Sequence, residues 1–284
     1  MCVLTPSSIT SRTPATQRSR AGATFAIALG IAMVALAAVA AAPAGAAPRG
    51  DVWRPAPRTT WQWQLTSPVD TSVPAQMYDI DLFDNSAGVV SSLHARGTRV
   101  VCYLSAGSFE RWRPDARRFP RAVLGRALDG WPGERWLDIR RLDLLGPIMK
   151  RRMNLCRAKG FDGVEADNVD AYANRSGFPL TAAHQLRFNR LLARAAHARG
   201  LSIGLKNDLG QVRALQPQFD WALNEQCFQY DECDRLAPFV RAGKAVFSVE
   251  YELDTAVFCP QASRLGFMSM RKRLDLDAWR APCF

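Results

Sequence analysis

Four times along this chain a helical pattern runs into a short turn of small and basic residues and then directly into an apolar stretch. The turns are Ala95-Arg96-Gly97, Ala158-Lys159-Gly160, Ala198-Arg199-Gly200 and Ala242-Gly243-Lys244. Glycine stops a helix there because it enters the left-handed region without a Cβ penalty. Strands that alternate with helices in this way are laid parallel, with the helices as crossovers. Eight strand-like segments follow that rhythm: Trp61–Leu65, Met77–Phe83, Thr98–Ser105, Phe161–Asp167, Leu201–Asn207, Phe219–Gln226, Ala245–Tyr251 and Leu265–Met270. Most are short, apolar and bounded by Gly, Asp or Asn, as strands buried on both faces should be.

Between them, Thr181 is placed to cap a helix whose Phe188, Leu192 and Ala196 recur at four-residue spacing, with Gly200 beyond its end. Another helix is predicted over Leu144–Lys159, with Pro147 near its first turn and Gly160 as its stop. The widest gap between strands, Ser108–Ile139, carries Trp112, Trp131 and Trp136 and reads as a long aromatic loop on a binding face.

Length decides how the sheet closes. Residues 1–46 read as a Sec-type signal peptide: Arg12, Arg18 and Arg20 with no acid, an apolar run centred on Phe25–Ala42, and the small-residue site Ala44-Gly45-Ala46. A membrane anchor is the competing reading of so long a run, but its Ala and Gly content and its cleavage site favour export. Residues 47–60 are expected to be a linker, and 61–284 the folded domain. Eight strands in a chain of that size fit a single α/β domain, a (β/α)8 TIM-like barrel, better than an open doubly wound sheet.

The formal charge is +11, carried mostly by Arg spread along predicted helices. Without a dense basic block interleaved with aromatics, nucleic-acid binding is not expected. No G-x-G-x-x-G or Walker pattern occurs, so no nucleotide cofactor is expected. Apart from Cys2, six cysteines remain, and an even number in an exported chain favours disulfides. Fifteen pairings are possible; closeness along the chain suggests Cys102 with Cys156, Cys227 with Cys233, and Cys259 with Cys283. Zinc lacks a C-x2-C pair or matching His spacing, and His94, His184 and His197 all fall in predicted helices as surface or packing residues. No metal site, no lasting membrane association and no partner subunit are expected.

In a barrel of this kind, function gathers at the C-terminal ends of the strands. Those ends are polar here: Asp79, Asp81 and Asp84; Tyr103 and Ser105; Glu165, Asp167, Asn168 and Asp170; Lys206, Asn207 and Asp208; Asn224 and Glu225; Glu250 and Tyr251. Charges at five separate strand ends are hard to explain as packing, because unpaired charges do not sit in cores. Paired carboxylates suit glycosidic cleavage, in which one group donates a proton and the other attacks or activates water. Glu165 and Asp167, two apart on one strand, share a face. The residues alone leave open a carbohydrate-binding barrel without turnover, and a metal-dependent hydrolase using Asp167, Asn168, Asp170 and Asp208 as oxygen ligands. Lys206 could equally pair with an acid, and Asn207 and Asp208 could cap a helix.

Several motifs carry a family resemblance: Trp61-Gln62-Trp63-Gln64-Leu65, Tyr78-Asp79-Ile80-Asp81, Cys102-Tyr103-Leu104-Ser105-Ala106-Gly107, Phe161-Asp162-Gly163-Val164-Glu165-Ala166-Asp167-Asn168, Gly204-Leu205-Lys206-Asn207-Asp208, Asn224-Glu225-Gln226-Cys227 and Glu250-Tyr251. In order, they resemble glycoside hydrolase family 114, the endo-α-1,4-polygalactosaminidases. The resemblance implies a secreted TIM-like barrel that cuts α-1,4-linked galactosamine or N-acetylgalactosamine polysaccharide internally. It implies Asp167 as nucleophile and Glu225 as general acid/base, in a retaining mechanism. Asp81, Tyr103, Glu165, Asn168, Lys206, Asn207, Glu250 and Tyr251 are then the candidate sugar-binding residues.

Overall fold

A computed structural model describes residues 52–284; the expected signal peptide lies outside the described residues. In chain order the elements are β1 (Trp61–Gln64), β2 (Met77–Asp81), α1 (Ala87–His94), β3 (Arg99–Ser105), β4 (Ser108–Glu110), β5 (Leu124–Ala127), β6 (Glu134–Leu137), α2 (Leu142–Lys159) and β7 (Gly163–Asp167). Then come α3 (Ala182–His197), β8 (Ser202–Lys206), α4 (Val212–Leu215), β9 (Trp221–Glu225), α5 (Ala237–Arg241), β10 (Val246–Glu250), α6 (Thr255–Leu265), β11 (Met268–Arg271) and β12 (Ala281–Pro282). Short 3-10 turns join several of them.

The eight anticipated strands are present and lie in one sheet in sequence order, β1-β2-β3-β7-β8-β9-β10-β11, every pair parallel. The regular (β/α)8 scheme needs three corrections. β12 adds a ninth strand, antiparallel to β11. Among the described residues no ladder joins β11 to β1; the C-terminal segment bridges that seam instead. Leu65 N–H donates to the Leu276 carbonyl at 3.0 Å and Gln62 Nε2 to the Ala278 carbonyl at 2.8 Å, while Trp61 Nε1 reaches the Met268 carbonyl of β11 directly at 3.0 Å. Finally, only six crossovers carry an α-helix, since the β1–β2 connection contains Pro68 and Pro74 and is too short for one.

Side-chain parity sorts the core into two clusters. Trp61, Trp63, Met77, Val101, Trp221, Leu223, Phe247, Val249 and Met268 fill the space inside the curled sheet. Val100, Cys102, Val164, Ile203 and Val246 point the other way, against Met149, Phe188 and Leu192 of the helices. Because successive strand residues face opposite sides, each strand contributes to both. Gly204 has no side chain for a specific reason: a Cβ there would lie 2.4 Å from the Trp221 ring.

Thr181 caps α3 as anticipated, and the His184 ring accepts from the Thr181 N–H to complete the cap. His94 and His197 end α1 and α3 and bond Asp162 and Asp220 at 2.7 and 2.8 Å. α2 begins at Leu142, two residues before the anticipated start, so Pro147 falls in its second turn. α6 continues through Leu265 to its left-handed cap Gly266, which delays β11 to Met268. The segment expected as a linker is docked where it is described: Arg54 bonds Asp220 at 2.7 Å and Trp53 packs on the inner core.

All three anticipated disulfides form, Cys102–Cys156, Cys227–Cys233 and Cys259–Cys283. The first ties β3 to α2 across 54 residues of sequence. Replacing both of its cysteines with alanine is expected to cost about 4 kcal/mol through the larger entropy of the opened unfolded chain. Thermal unfolding should then fall by roughly 10 °C; a drop of under about 2 °C would rule this account out.

Candidate active site

Parity also builds the site. Asp79, Glu165, Asp167, Lys206 and Glu225 share the inward face of four strands, and their centre is one buried ammonium. Lys206 Nζ lies 2.8 Å from Glu165 Oε1, 3.2 Å from Asp167 Oδ1 and 3.2 Å from Glu225 Oε2. It also stands 4.7 Å above the centre of the Trp63 ring, a cation–π contact. Burial alone would pull this amine down, but Asp167, Glu165 and Glu225 outweigh it and hold its pKa well above the ordinary lysine value. Lys206 is therefore a fixed positive charge.

Beneath it, Glu165 is fully buried and accepts from Trp63 Nε1 at 3.0 Å. Asp79 is equally buried, and neither of its oxygens meets a nitrogen or hydroxyl donor. Burial and then the Glu165 charge push Asp79 well above the usual carboxylate range, which favours its protonated form.

Each of the two upper acids is held by three donors. Asp167 accepts from Tyr103 O–H at 3.0 Å and Asn168 Nδ2 at 3.2 Å in addition to Lys206. Glu225 accepts from Asn207 Nδ2 at 3.1 Å and from the Tyr251 hydroxyl. Burial, and then the neighbouring Asp167 or Glu225 charge, raises both tyrosines well above the ordinary phenol value, so both remain donors. Asn168, Asn207 and Gln226, each next to one of these charged residues, adopt positive φ of 60°, 49° and 63°. There the chain leaves strand geometry sharply, and for residues other than glycine this strain concentrates at functional sites. Gly107 lies so close to the same corner that a Cβ would fall 1.7 Å from the Asn168 carbonyl oxygen.

A cleft of about 700 Å³ opens over these groups. Asp167, Glu225, Tyr103, Asn168, Lys206, Asn207 and Tyr251 all line it, together with Trp63. Three other candidates do not. Asp81 is buried and bound by both terminal nitrogens of Arg113, at 2.9 and 2.5 Å. Glu165 lies beneath the floor. Glu250 faces away because it follows Val249 of the inner core in β10, and adjacent side chains point to opposite faces. Its Oε1 accepts the Phe228 N–H at 2.9 Å, which holds the loop that follows Glu225 and is closed by Cys227–Cys233.

Burial pushes Glu250 from 4.5 up to about 7, and its Oε2 has no partner. Unfolded, it ionises near 4.5; folded, it keeps its proton to about 7. The native state therefore binds more protons between those values, and stability falls as pH rises through that window, on the order of 3 kcal/mol. Glu250→Gln is expected to flatten that part of the decline in thermal stability between pH 5 and 7.5. Parallel curves for the two proteins would contradict it.

The stretch anticipated as a loop is a small antiparallel sheet, β4-β6-β5, standing at the rim. Trp131 and Trp136 line the cleft, whereas Trp112 is 52 % exposed and does not. The same sheet delivers Glu134, absent from the strand-end candidates. It lines the cleft, accepts from the Ser108 hydroxyl at 2.6 Å, and is raised by burial to about 7. Glu134-Arg135-Trp136-Leu137 shows no polar–apolar alternation, so local sequence did not mark that strand. Among the described residues, no group of three His, Cys, Asp or Glu side chains is placed to hold a metal ion.

A curled parallel sheet with two solvent-reaching carboxylates around a shared cation has the arrangement a barrel-type glycoside hydrolase requires. Sequence comparison agrees: residues 40–284 match the model of glycoside-hydrolase family GH114, and the chain belongs to that family. Among solved structures, Aspergillus fumigatus Ega3 in complex with galactosamine is 42 % identical, with a TM-score of 0.79 over 82 % of this chain and 98 % of that one. The glycoside hydrolase domain of Pseudomonas aeruginosa PelA shares the fold at 13 % identity and a TM-score of 0.61, covering 78 % of this chain and 96 % of that domain. No curated protein matches the chain.

Proposed function

We propose that this protein is an exported endo-acting hydrolase of α-1,4-linked galactosamine or N-acetylgalactosamine polysaccharide, with Asp167 as nucleophile and Glu225 as acid/base. The observation that carries the reading is the shared ammonium. Asp167 Oδ1 and Glu225 Oε2 each lie 3.2 Å from Lys206 Nζ, so these oxygens are at most twice that distance, 6.4 Å, apart. That upper bound for one pair of oxygens is compatible with the roughly 5–5.5 Å carboxyl separation of retaining enzymes.

In the first step a carboxylate oxygen of Asp167 bonds to the anomeric carbon while Glu225 gives its proton to the departing glycosidic oxygen. In the second, Glu225 takes a proton from water, whose oxygen displaces Asp167 and regenerates the free acid. Glu225 is the more exposed of the two side chains, 25 % against 18 %, which suits the group that must exchange protons with water. Tyr103, Asn168 and Lys206 all donate to Asp167 and fix the direction in which its carboxylate faces the cleft.

Charge supports an amino sugar. The cleft is lined by Asp129, Glu134, Asp167, Asp170, Glu225 and Asp275 against only Lys206 and Arg175. A partly deacetylated galactosamine chain is cationic, so this local potential draws it in despite the basic whole. Trp131 and Trp136 offer faces for sugar rings, and the open cleft admits a chain at mid-length. The three disulfides suit an oxidising compartment. Digestion of defined galactosamine oligosaccharides should give internal cuts, with the α-anomer released first. Failure to cut any galactosamine polymer would overturn the reading, and first release of the β-anomer would overturn the retaining mechanism.

A further inference from the structure

Glu134, on the rim, is joined to the corner that holds Asp167 by two buried serines. Its Oε2 accepts the Ser108 hydroxyl at 2.6 Å, and Ser108 Oγ lies 2.6 Å from Ser105 Oγ. Ser105 Oγ is in turn 3.0 Å from Asn168 Nδ2, and the same amide nitrogen reaches Asp167 Oδ2 at 3.2 Å. Both serines are fully buried, so neither hydroxyl trades its partners for bulk water. Counting protons gives this chain of bonds a direction, because a serine hydroxyl has only one to donate. Ser108 spends its own on Glu134, so the proton in the Ser105–Ser108 bond comes from Ser105. Ser105 Oγ also accepts the Ser108 N–H at 3.2 Å, and toward Asn168 it offers only a lone pair. The amide of Asn168 must therefore turn its nitrogen toward Ser105, and its second proton falls to Asp167. Burial raises Glu134 to about 7, but a proton on Oε1 leaves Oε2 an acceptor and the direction unchanged.

We propose that Glu134 is a positioning residue for the nucleophile: through Ser108 and Ser105 it fixes the Asn168 amide with its N–H side on Asp167. The inference rests on the role proposed for Asp167. Without Glu134 or the Ser108 hydroxyl, the Ser105 proton is released and bonds the Asn168 amide oxygen instead. The amide then turns over and sets an oxygen against the Asp167 carboxylate, so a donor to the nucleophile is replaced by a repulsive contact. Ser108 stands in β4 and Glu134 in β6, both in the rim sheet. The insertion thus acts on the chemistry by orienting a side chain that touches the nucleophile, without touching the reacting atoms itself.

The test is a kinetic double-mutant cycle on a galactosamine oligosaccharide. Ser108 does not line the cleft, so Ser108→Ala should lower kcat about tenfold and leave KM in place, as misorientation of a reacting group does. Glu134→Leu should lower kcat by a similar factor and also raise KM, because Glu134 does line the cleft. The double variant should keep the kcat of Glu134→Leu alone, whereas independent effects would multiply to about a hundredfold. Glu134→Gln retains an acceptor for Ser108 and should recover most of the kcat lost in Glu134→Leu; this comparison carries the test if Ser108→Ala fails to fold. Wild-type kcat in a stably folded Ser108→Ala, multiplied losses in the double variant, or no recovery in Glu134→Gln overturns the relay alone. If wild type cuts no galactosamine polymer at all, the proposed function fails and the relay falls with it.

Discussion

Asp167→Asn is expected to lower kcat/KM by about 10⁴-fold or more while leaving the fold and polymer binding in place. The change keeps the shape of the side chain and its hydrogen-bonding oxygen but removes the negative charge that attacks the anomeric carbon, and nucleophile deletions are among the most costly known. Glu225→Gln removes only the transferable proton, a loss of about 10²–10⁴-fold. A substrate with an activated leaving group separates the roles, because it departs without protonation. Glu225→Gln should regain most of its first-step rate on such a substrate, and Asp167→Asn none. The reverse pattern would exchange the two assignments. Near-normal hydrolysis by Asp167→Asn would eliminate this carboxylate as the nucleophile.

The second large effect is expected from Lys206→Met, which keeps the aliphatic length and deletes the ammonium. Glu165, Asp167 and Glu225 all contact that nitrogen, and Lys206 is 2 % exposed. Removing the cation leaves clustered carboxylates in a poorly solvated floor. Breaking a buried ion pair from one side costs about 3–5 kcal/mol, or roughly 10 °C or more in thermal unfolding for a domain of this size. Activity should fall as well, because Asp167 and Glu225 both lose the nitrogen that holds them in place. An unchanged melting temperature together with an unchanged kcat/KM would refute the central place given to Lys206.

Asp79 belongs to the same balance. Glu165 sits between the Lys206 cation and Asp79, whose carboxyl is pushed toward its neutral form, so the stack from Asp79 to Lys206 is favoured to hold fewer net charges than its residue types suggest. This arrangement aims Lys206 at the two upper acids without the full desolvation cost of four carboxylates.

Local sequence determined a good deal of this protein. The repeated glycine stops and short apolar strands specified the order of the eight parallel strands, because helix termination and strand burial are read from neighbouring residues. The in-order motifs specified the family. The disulfide pairs also followed chain proximity, since short loops close at the least entropic cost.

Tertiary structure decided what depends on distant partners. Period-two alternation should have separated Glu250 from Tyr251, but only the placement of the Phe228 loop explains what Glu250 does instead. Asp81 resembles its neighbour Asp79 in sequence. Arg113, which arrives from the rim insertion, turns it into an ion pair, while Asp79 has no such partner and is pushed well above the usual carboxylate range. Glu134 was hidden in a stretch too short and mixed to declare a strand until β4 and β5 paired with it. The resemblance pointed to Asp167 and Glu225, but their setting is a matter of three dimensions. Coulomb forces act through space, and the Lys206 ammonium that both contact is brought to them by a strand that neither belongs to.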